Sequence, residues 1–184
     1  MEFEFARGHA ILEESTVLFT ADEINNTVKK IATAINHEIT DEVPVFLTVM
    51  NGGMFFAANL LQHFKFPIIC DYIHCSRYGD ETFGSNHITW FRQPKIETIK
   101  DKNVYIIDDI LDEGHTLAEV SRFVKNVGAK SCKLVVLIDK KIDKEKPITS
   151  DFIGFEAPNK FLFGYGMDIY GLFRNLSEVY IYNS

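Results

Sequence analysis

Runs of apolar, β-branched residues alternating with helix-patterned stretches restrict this chain more than any other feature. VPVFLTVM (Val43 to Met50), PIICDYIH (Pro67 to His74), KNVYIIDD (Lys102 to Asp109) and CKLVVLID (Cys132 to Asp139) each read as a buried strand. Ahead of them, TADEINNTVKKIATAINHEI reads as a helix. Thr20 and Glu23 make a capping box, and Ile24, Val28, Ile31 and Ile35 share one face. The first strand runs through an NGG turn into a helix over MFFAANLLQHF, and the third leads to TLAEVSRFVKNVG, a helix ended by Gly128. Strand, turn and helix in succession predict an α/β domain with a mostly parallel central sheet flanked by helices. The 184 residues contain no repeat and no linker, and 46% apolar content supplies one core, so a single domain over 1–184 is expected.

Two segments stand outside that alternation. SRYGDETFGSNHITW (Ser76 to Trp90) is polar and aperiodic, as expected of a mobile loop that enters a short strand near Trp90. The tail, DFIGFEAPNKFLFGYGMDIYGLFRNLSEVYIY (Asp151 to Tyr182), is rich in aromatics and glycine without a helical period. It reads as short strands and turns forming a cap beside the main sheet, with EVYIY as the last strand.

Charge and composition narrow the function classes. A net charge of −7 has the wrong sign for holding nucleic acid by phosphate neutralisation, although a local backbone site still suits a small anion. Charged Glu2, Glu4 and Arg7 break what a signal peptide needs as an apolar stretch, and no apolar run is long enough to span a membrane. A soluble, cytoplasmic protein is expected. Cys70, Cys75 and Cys132 make an odd count without a CxxC spacing, which favours reduced thiols. No histidine pair has a zinc-binding spacing.

The chemistry concentrates in VYIIDDILDEGHTL, Val104 to Leu117. Ligands of open α/β sheets bind outside the carboxyl ends of the strands, where this stretch places Asp108 and Asp109. Strand geometry would send these two side chains to opposite faces. Gly114 allows the backbone to turn its amides toward one point before a helix opens near Thr116, which suits a phosphate. Carboxylates suit ribose hydroxyls and Mg²⁺, so a phosphorylated sugar would satisfy both halves. The bland alternative is that acids and glycine only close a strand and open a helix.

Four apolar residues, two acids, two apolar residues, then Asp, a variable residue, Gly and a Thr-containing helix start resemble the phosphoribosyl-pyrophosphate motif of the type I phosphoribosyltransferases. MNGG (Met50 to Gly53) resembles the family's pyrophosphate loop, which contains a non-proline cis peptide. SRYG resembles the start of its catalytic loop, and LIDKK the strand end with the purine-reading lysine. DFIGFEAPNKFLFGYGMD with FRNL is similar to the base-binding segment of the hypoxanthine-guanine branch. The resemblance covers roughly Leu47 to Val179. It implies the type I fold, with a core over about 40–145 and a small hood from about 1–19 and 150–184.

The resemblance also implies roles. Asp112 matches the acid beside purine N7, and Tyr78 the loop tyrosine over the transition state. Asp108 and Asp109 match the acids on ribose and metal, and Glu113, Gly114, His115 and Thr116 match the 5′-phosphate loop. Asn51, Gly52, Gly53 and Arg174 fall on the pyrophosphate side. Lys140 matches the donor to the 6-oxo group, Phe161 the stacking aromatic, Leu162 a backbone contact to the base, and Asp168, in the same purine-binding segment, a contact to a second metal. Asn51 stands where some relatives carry Lys, and Glu113 stands where many carry a small residue, so its carboxylate must aim away from phosphate. Without the pattern, Lys140 reads as a solvated strand-end lysine, Phe161 and Phe163 as core, and Arg174 as a structural partner of Asp168. Lys144 suits a second pyrophosphate contact, but KKIDKEK reads more simply as a solvated charge run. The implied activity is phosphoribosyl transfer to hypoxanthine or guanine with Mg²⁺, by a homodimer or homotetramer with small-molecule partners. Alternatives are a preference for xanthine or another base, or a non-catalytic regulator that senses phosphoribosyl pyrophosphate.

Overall fold

A computed structural model describes residues 5–39, 41–77 and 88–183. In chain order its elements are α1 (Phe5–Glu13), β1 (Ser15–Phe19), α2 (Ala21–Glu38), β2 (Val45–Met50), α3 (Met54–Leu61), β3 (Ile69–Arg77) and β4 (Ile88–Arg92). There follow α4 (Ile96–Ile99), β5 (Asn103–Leu111), α5 (His115–Asn126), β6 (Ser131–Lys140), β7 (Phe152–Ala157), β8 (Leu162–Phe163) and β9 (Val179–Tyr182). The expected loop after Ser76 lies, over 78–87, outside the described residues, and Tyr78 with it. No helix among the described residues is long and apolar enough to cross a membrane.

The central sheet has six strands in the order β4-β3-β2-β5-β6-β7, all parallel except β4, which pairs antiparallel with β3 at one edge. Period-two alternation divides its side chains between two cores. Phe46, Tyr105, Ile107, Val135 and Leu137 pack under α2 and α3, beside Ile24, Val28, Ile31 and Ile35. Val45, Leu47, Val104, Ile106, Leu134 and Val136 point the other way, to Leu117, Val120 and Val124 of α5. Each fully buried large side chain contributes about 1.5–3 kcal/mol, so a helix on each face closes the sheet. The Thr20 capping box forms as expected, and Gly128 leaves α5 at φ 92°.

β1, β9 and β8 form a separate antiparallel sheet of three strands. Ile11 of α1 packs there with Phe163 and Ile169 in a small core of its own. α1 was not expected from the sequence. The hood boundary expected near residue 150 also needs correction, because β7 pairs in parallel with β6 and completes the central sheet. Gly154 permits this. A Cβ there would sit 2.5 Å from the Leu137 carbonyl oxygen and 3.0 Å from the Thr27 methyl, so only glycine lets α2 lie close over this edge.

Chain order reverses at β2 and β5: from β2 the chain continues to β3 on one side, and from β5 to β6 on the other. Helices on opposite faces leave a crevice at such a switch point, outside the carboxyl ends of both strands.

Candidate active site

That crevice is a cleft of about 490 Å³. The end of β2 supplies Asn51 and Gly52, reached through a cis Met50–Asn51 peptide bond. β5 and the turn after it supply Asp108, Asp109, Asp112, Glu113 and Gly114, and α5 supplies His115 and Thr116. Lys140 comes from the end of β6, while Phe161, Leu162, Asp168 and Arg174 close the far side. Of the described residues expected in the site, Gly53 alone does not line it. A Cβ at Gly53 would lie 2.8 Å from the Ile107 carbonyl oxygen and 2.9 Å from that of Val49, so this glycine serves the packing of α3 on the sheet.

Gly114 is the residue ahead of α5 and has φ 83°, a left-handed conformation that strains any residue with a Cβ. No side chain caps the helix and no acid lies in its first turn, so the opening amides present partial positive charge to the cleft. Glu113 is exposed on the rim of the same wall.

Both acids of β5 line the cleft. Each carboxylate bends onto the next backbone N–H: Asp109 N–H donates to Asp108 Oδ1 at 3.0 Å, and Ile110 N–H to Asp109 Oδ1 at 2.8 Å. Burial, and after it the neighbouring Asp109 charge, push the Asp108 carboxyl well above the ordinary carboxylate range, against the pull of Arg174. Burial raises Asp109 too, opposed by its hydrogen bonding with Asp108 and by Arg174. Gly52 is fitted to this pair, since a Cβ there would collide with the Asp109 carboxylate.

On the far side Arg174 Nη2 meets Asp168 Oδ1 at 2.5 Å, while Nη1 donates to the Gly166 carbonyl at 2.6 Å. The second Asp168 oxygen accepts from Gly171 N–H at 2.7 Å. These bonds divide the expected metal set: among the described residues no three His, Cys, Asp or Glu side chains converge on one ion. Asp108 and Asp109 still fit Mg²⁺. They are hard oxygen donors, buried side by side with their negative charge disfavoured, and Mg²⁺ is commonly held by one or two carboxylates together with substrate oxygens.

Within the cleft Lys140 Nζ donates to Asp112 Oδ2 at 2.9 Å. Phe161 is 52% exposed beside them, with Leu162 buried behind it. A donor, an acid and an exposed ring face are what a flat, polar-edged heterocycle needs. Lys146 was missed in the sequence reading. It belongs to the stretch taken as a solvated charge run, yet its side chain is only 12% exposed and its ammonium donates to three acceptors. Lys144, by contrast, is exposed and does not line the cleft.

The phosphoribosyl transferase domain family matches residues 20–169. A hypoxanthine-guanine phosphoribosyltransferase of Bacillus subtilis is 33% identical over 164 residues, which cover 89% of this chain and 90% of that protein. A hypoxanthine-guanine-xanthine phosphoribosyltransferase of Tritrichomonas foetus is 31% identical, covering 89% of this chain and 88% of its own. Among solved structures, a hypoxanthine-guanine phosphoribosyltransferase from Bacillus anthracis superposes with a TM-score of 0.83 at 29% identity, over 90% of this chain and 97% of that one.

Proposed function

Because this chain belongs to the phosphoribosyltransferase family, in its hypoxanthine-guanine branch, we propose that it serves purine salvage. It transfers the 5-phosphoribosyl group of phosphoribosyl pyrophosphate to hypoxanthine or guanine, giving IMP or GMP and pyrophosphate. One observation carries this reading: a single cleft joins the Asp108–Asp109 pair and the open start of α5 to the Lys140–Asp112 contact beside exposed Phe161.

The reaction breaks the bond between ribose C1 and the pyrophosphate oxygen and forms one to purine N9, with positive charge developing on the ribose. The amides around Gly114 to Thr116 hold the 5′-phosphate. Asp108 and Asp109 accept from the ribose hydroxyls and would hold Mg²⁺, which supplies charge neutralisation for the diphosphate when bound. Arg174 and the Asn51–Gly52 turn take the pyrophosphate side, Arg174 exchanging its contact with Asp168 for phosphate oxygens. Phe161 stacks on the base and the Leu162 backbone meets its edge. Lys140 donates to the 6-oxo group, and Asp112 accepts the N7 proton or offsets the ring's charge. Tyr78 covers the transition state and excludes water. The same reading places the enzyme in the cytoplasm as a homodimer or homotetramer, with small molecules as its partners.

An ammonium is a donor without acceptor capacity, so it suits a 6-oxo group and faces only the donor hydrogens of adenine's 6-amino group. Sites built around such a bond reject the wrong analogue strongly. In a panel of hypoxanthine, guanine, xanthine and adenine with the sugar diphosphate, adenine is expected to be at least about 10³-fold worse in kcat/KM than the best 6-oxopurine. Lys140→Ala is expected to shrink that gap. Comparable use of adenine by the wild type would overturn the reading. The Tritrichomonas relative, named for three bases, makes xanthine the informative arm of the panel.

A further inference from the structure

The β5–β6 ladder ends at Leu111 opposite Asp139, and each strand then carries one key residue into the cleft: Asp112 follows Leu111, and Lys140 follows Asp139. Beyond this ladder's end β5 and β6 no longer bond to each other and can splay apart, although Lys140 still pairs with Ala157 of β7. Here a side chain takes over. Lys146 Nζ donates to the Leu111 carbonyl, the Lys140 carbonyl and Asp139 Oδ1, each at 2.6 Å. An ammonium has three donors, and all three are used.

We propose that Lys146 is a positioning residue for the transfer reaction: by tying the Leu111 and Lys140 carbonyls to one point it fixes how Asp112 and Lys140 face the purine. The proposal rests on the reading of those two residues as purine contacts. The Leu111 carbonyl belongs to the peptide that leads into Asp112, and the Lys140 carbonyl is that residue's own. A rotation of either peptide therefore swings one of the two side chains. Purine N7 and the 6-oxo oxygen are neighbours on one edge of the base, so the acid and the ammonium must hold a narrow mutual spacing, which is 2.9 Å here. Charge-assisted bonds to a lysine that is mostly buried resist such rotation better than water would. Further out, Lys141 N–H donates to the Ala157 carbonyl at 2.7 Å and its ammonium pairs with Glu156 at 2.7 Å, so the chain leaving β6 is anchored on β7 as well. In that reading the sugar-diphosphate contacts lie away from the two clamped carbonyls: the end of β2, Asp108 and Asp109 deeper in β5, the start of α5, and Arg174.

Lys146→Met keeps the length of the side chain and removes the charge and all three donors. Steady-state kinetics of the folded variant, varying one substrate at a time, are expected to show the KM for hypoxanthine or guanine rising about tenfold to a hundredfold, the scale of a small misplacement. The KM for phosphoribosyl pyrophosphate is expected to stay within about twofold, because its contacts do not depend on the two clamped carbonyls. Lys146→Arg, which keeps the charge, is expected to recover part of the purine loss. An unchanged purine KM, or an equal rise for both substrates, would overturn the proposal, the second result being what general loosening produces. If Lys146→Met does not fold, Asp139→Asn is read by the same split, since it weakens the clamp while keeping an acceptor. Lys140→Ala run beside them separates the two readings. Full base discrimination in Lys140→Ala sinks the purine assignment itself, whereas lost discrimination there with normal purine KM in Lys146→Met sinks the clamp alone.

Discussion

Across the cleft, the wall from Asp108 to Thr116 is strand, one left-handed glycine and helix, whereas the facing wall winds through Gly164, Tyr165, Gly166, Tyr170, Gly171 and Phe173, all with positive φ. The first wall inherits its geometry from a parallel ladder shared with β2 and β6. The second has only the two-residue β8–β9 ladder at its start and isolated bridges beyond it. It is held by short-range bonds, such as Gly164 N–H to the Met167 carbonyl at 2.9 Å and Gly166 N–H to the Arg174 carbonyl at 2.9 Å, and by the small core of Ile11, Phe163 and Ile169. Left-handed backbone costs about 1–2 kcal/mol at each non-glycine residue. At Tyr165 this is offset by burial and by a hydrogen bond from Asn59 to its hydroxyl at 2.7 Å. A ladder places chemistry on a regular element, while an irregular wall must be stabilised residue by residue.

If the regular wall carries the reacting groups, its variants should damage turnover more than folding. Asp112→Asn keeps the shape and removes the charge, and is expected to lower kcat by about 10²-fold or more with a smaller change in nucleotide affinity. Pre-steady-state turnover equal to wild type would break the contrast at its strongest point. The irregular wall should show the reverse. Gly166→Ala places a methyl on the Gly52 carbonyl at φ 107°, and a loss of about 3 kcal/mol or more in unfolding free energy is expected. Denaturant melts with a wild-type midpoint would show that this wall yields more easily than its contacts imply.

A third variant tests the one special residue of the regular wall. Gly114→Val must hold φ 83° with a branched Cβ packed against Leu111 and Ile148, and the KM for phosphoribosyl pyrophosphate should rise about tenfold. Wild-type affinity would place the phosphate cradle elsewhere. The smallest effect expected is a gain in stability. Burial holds the Asp108 carboxyl above its unfolded value, so its contribution is complete below the ordinary carboxylate range and is lost as pH rises through the raised folded value. Asp108→Asn should therefore unfold at a higher temperature than wild type at neutral pH, by an amount worth about 1 kcal/mol, with the difference vanishing in acid. Equal melting curves at neutral pH would show that this carboxylate is not costly to keep.

The same contrast explains what the sequence revealed. The β2, β5 and β6 runs and the helices on either face were legible because buried parallel strands and amphipathic helices write their periods into composition, and the acids of β5 stood out at a strand end. β7 was read as part of the cap because FIGFEA is interrupted by Gly154, whose reason is a neighbouring helix that the local sequence does not show. The left-handed aromatics Tyr165, Tyr170 and Phe173 leave no local mark, since sequence signals for positive φ come mainly from glycine and asparagine. Lys146 was hidden among four lysines in KKIDKEK, where nothing local says which one turns inward. Asp108 and Asp109 stood out as a pair at a strand end, but the fold of each carboxylate back onto the next amide is not written in the sequence.

The approach of Gly166 to the Gly52 carbonyl has a practical consequence for inhibitors. Peptide backbone from both walls meets there, beside the Asp109 carboxylate, so the gauge of the cleft at that point does not respond to rotamer changes. A compound series grown toward that point meets a rigid stop. Growth toward Phe161, which is 52% exposed, meets a side chain able to turn aside. Growth of a compound is thus better directed to the Phe161 end, while the Gly52–Gly166 end fixes how far it can extend the other way.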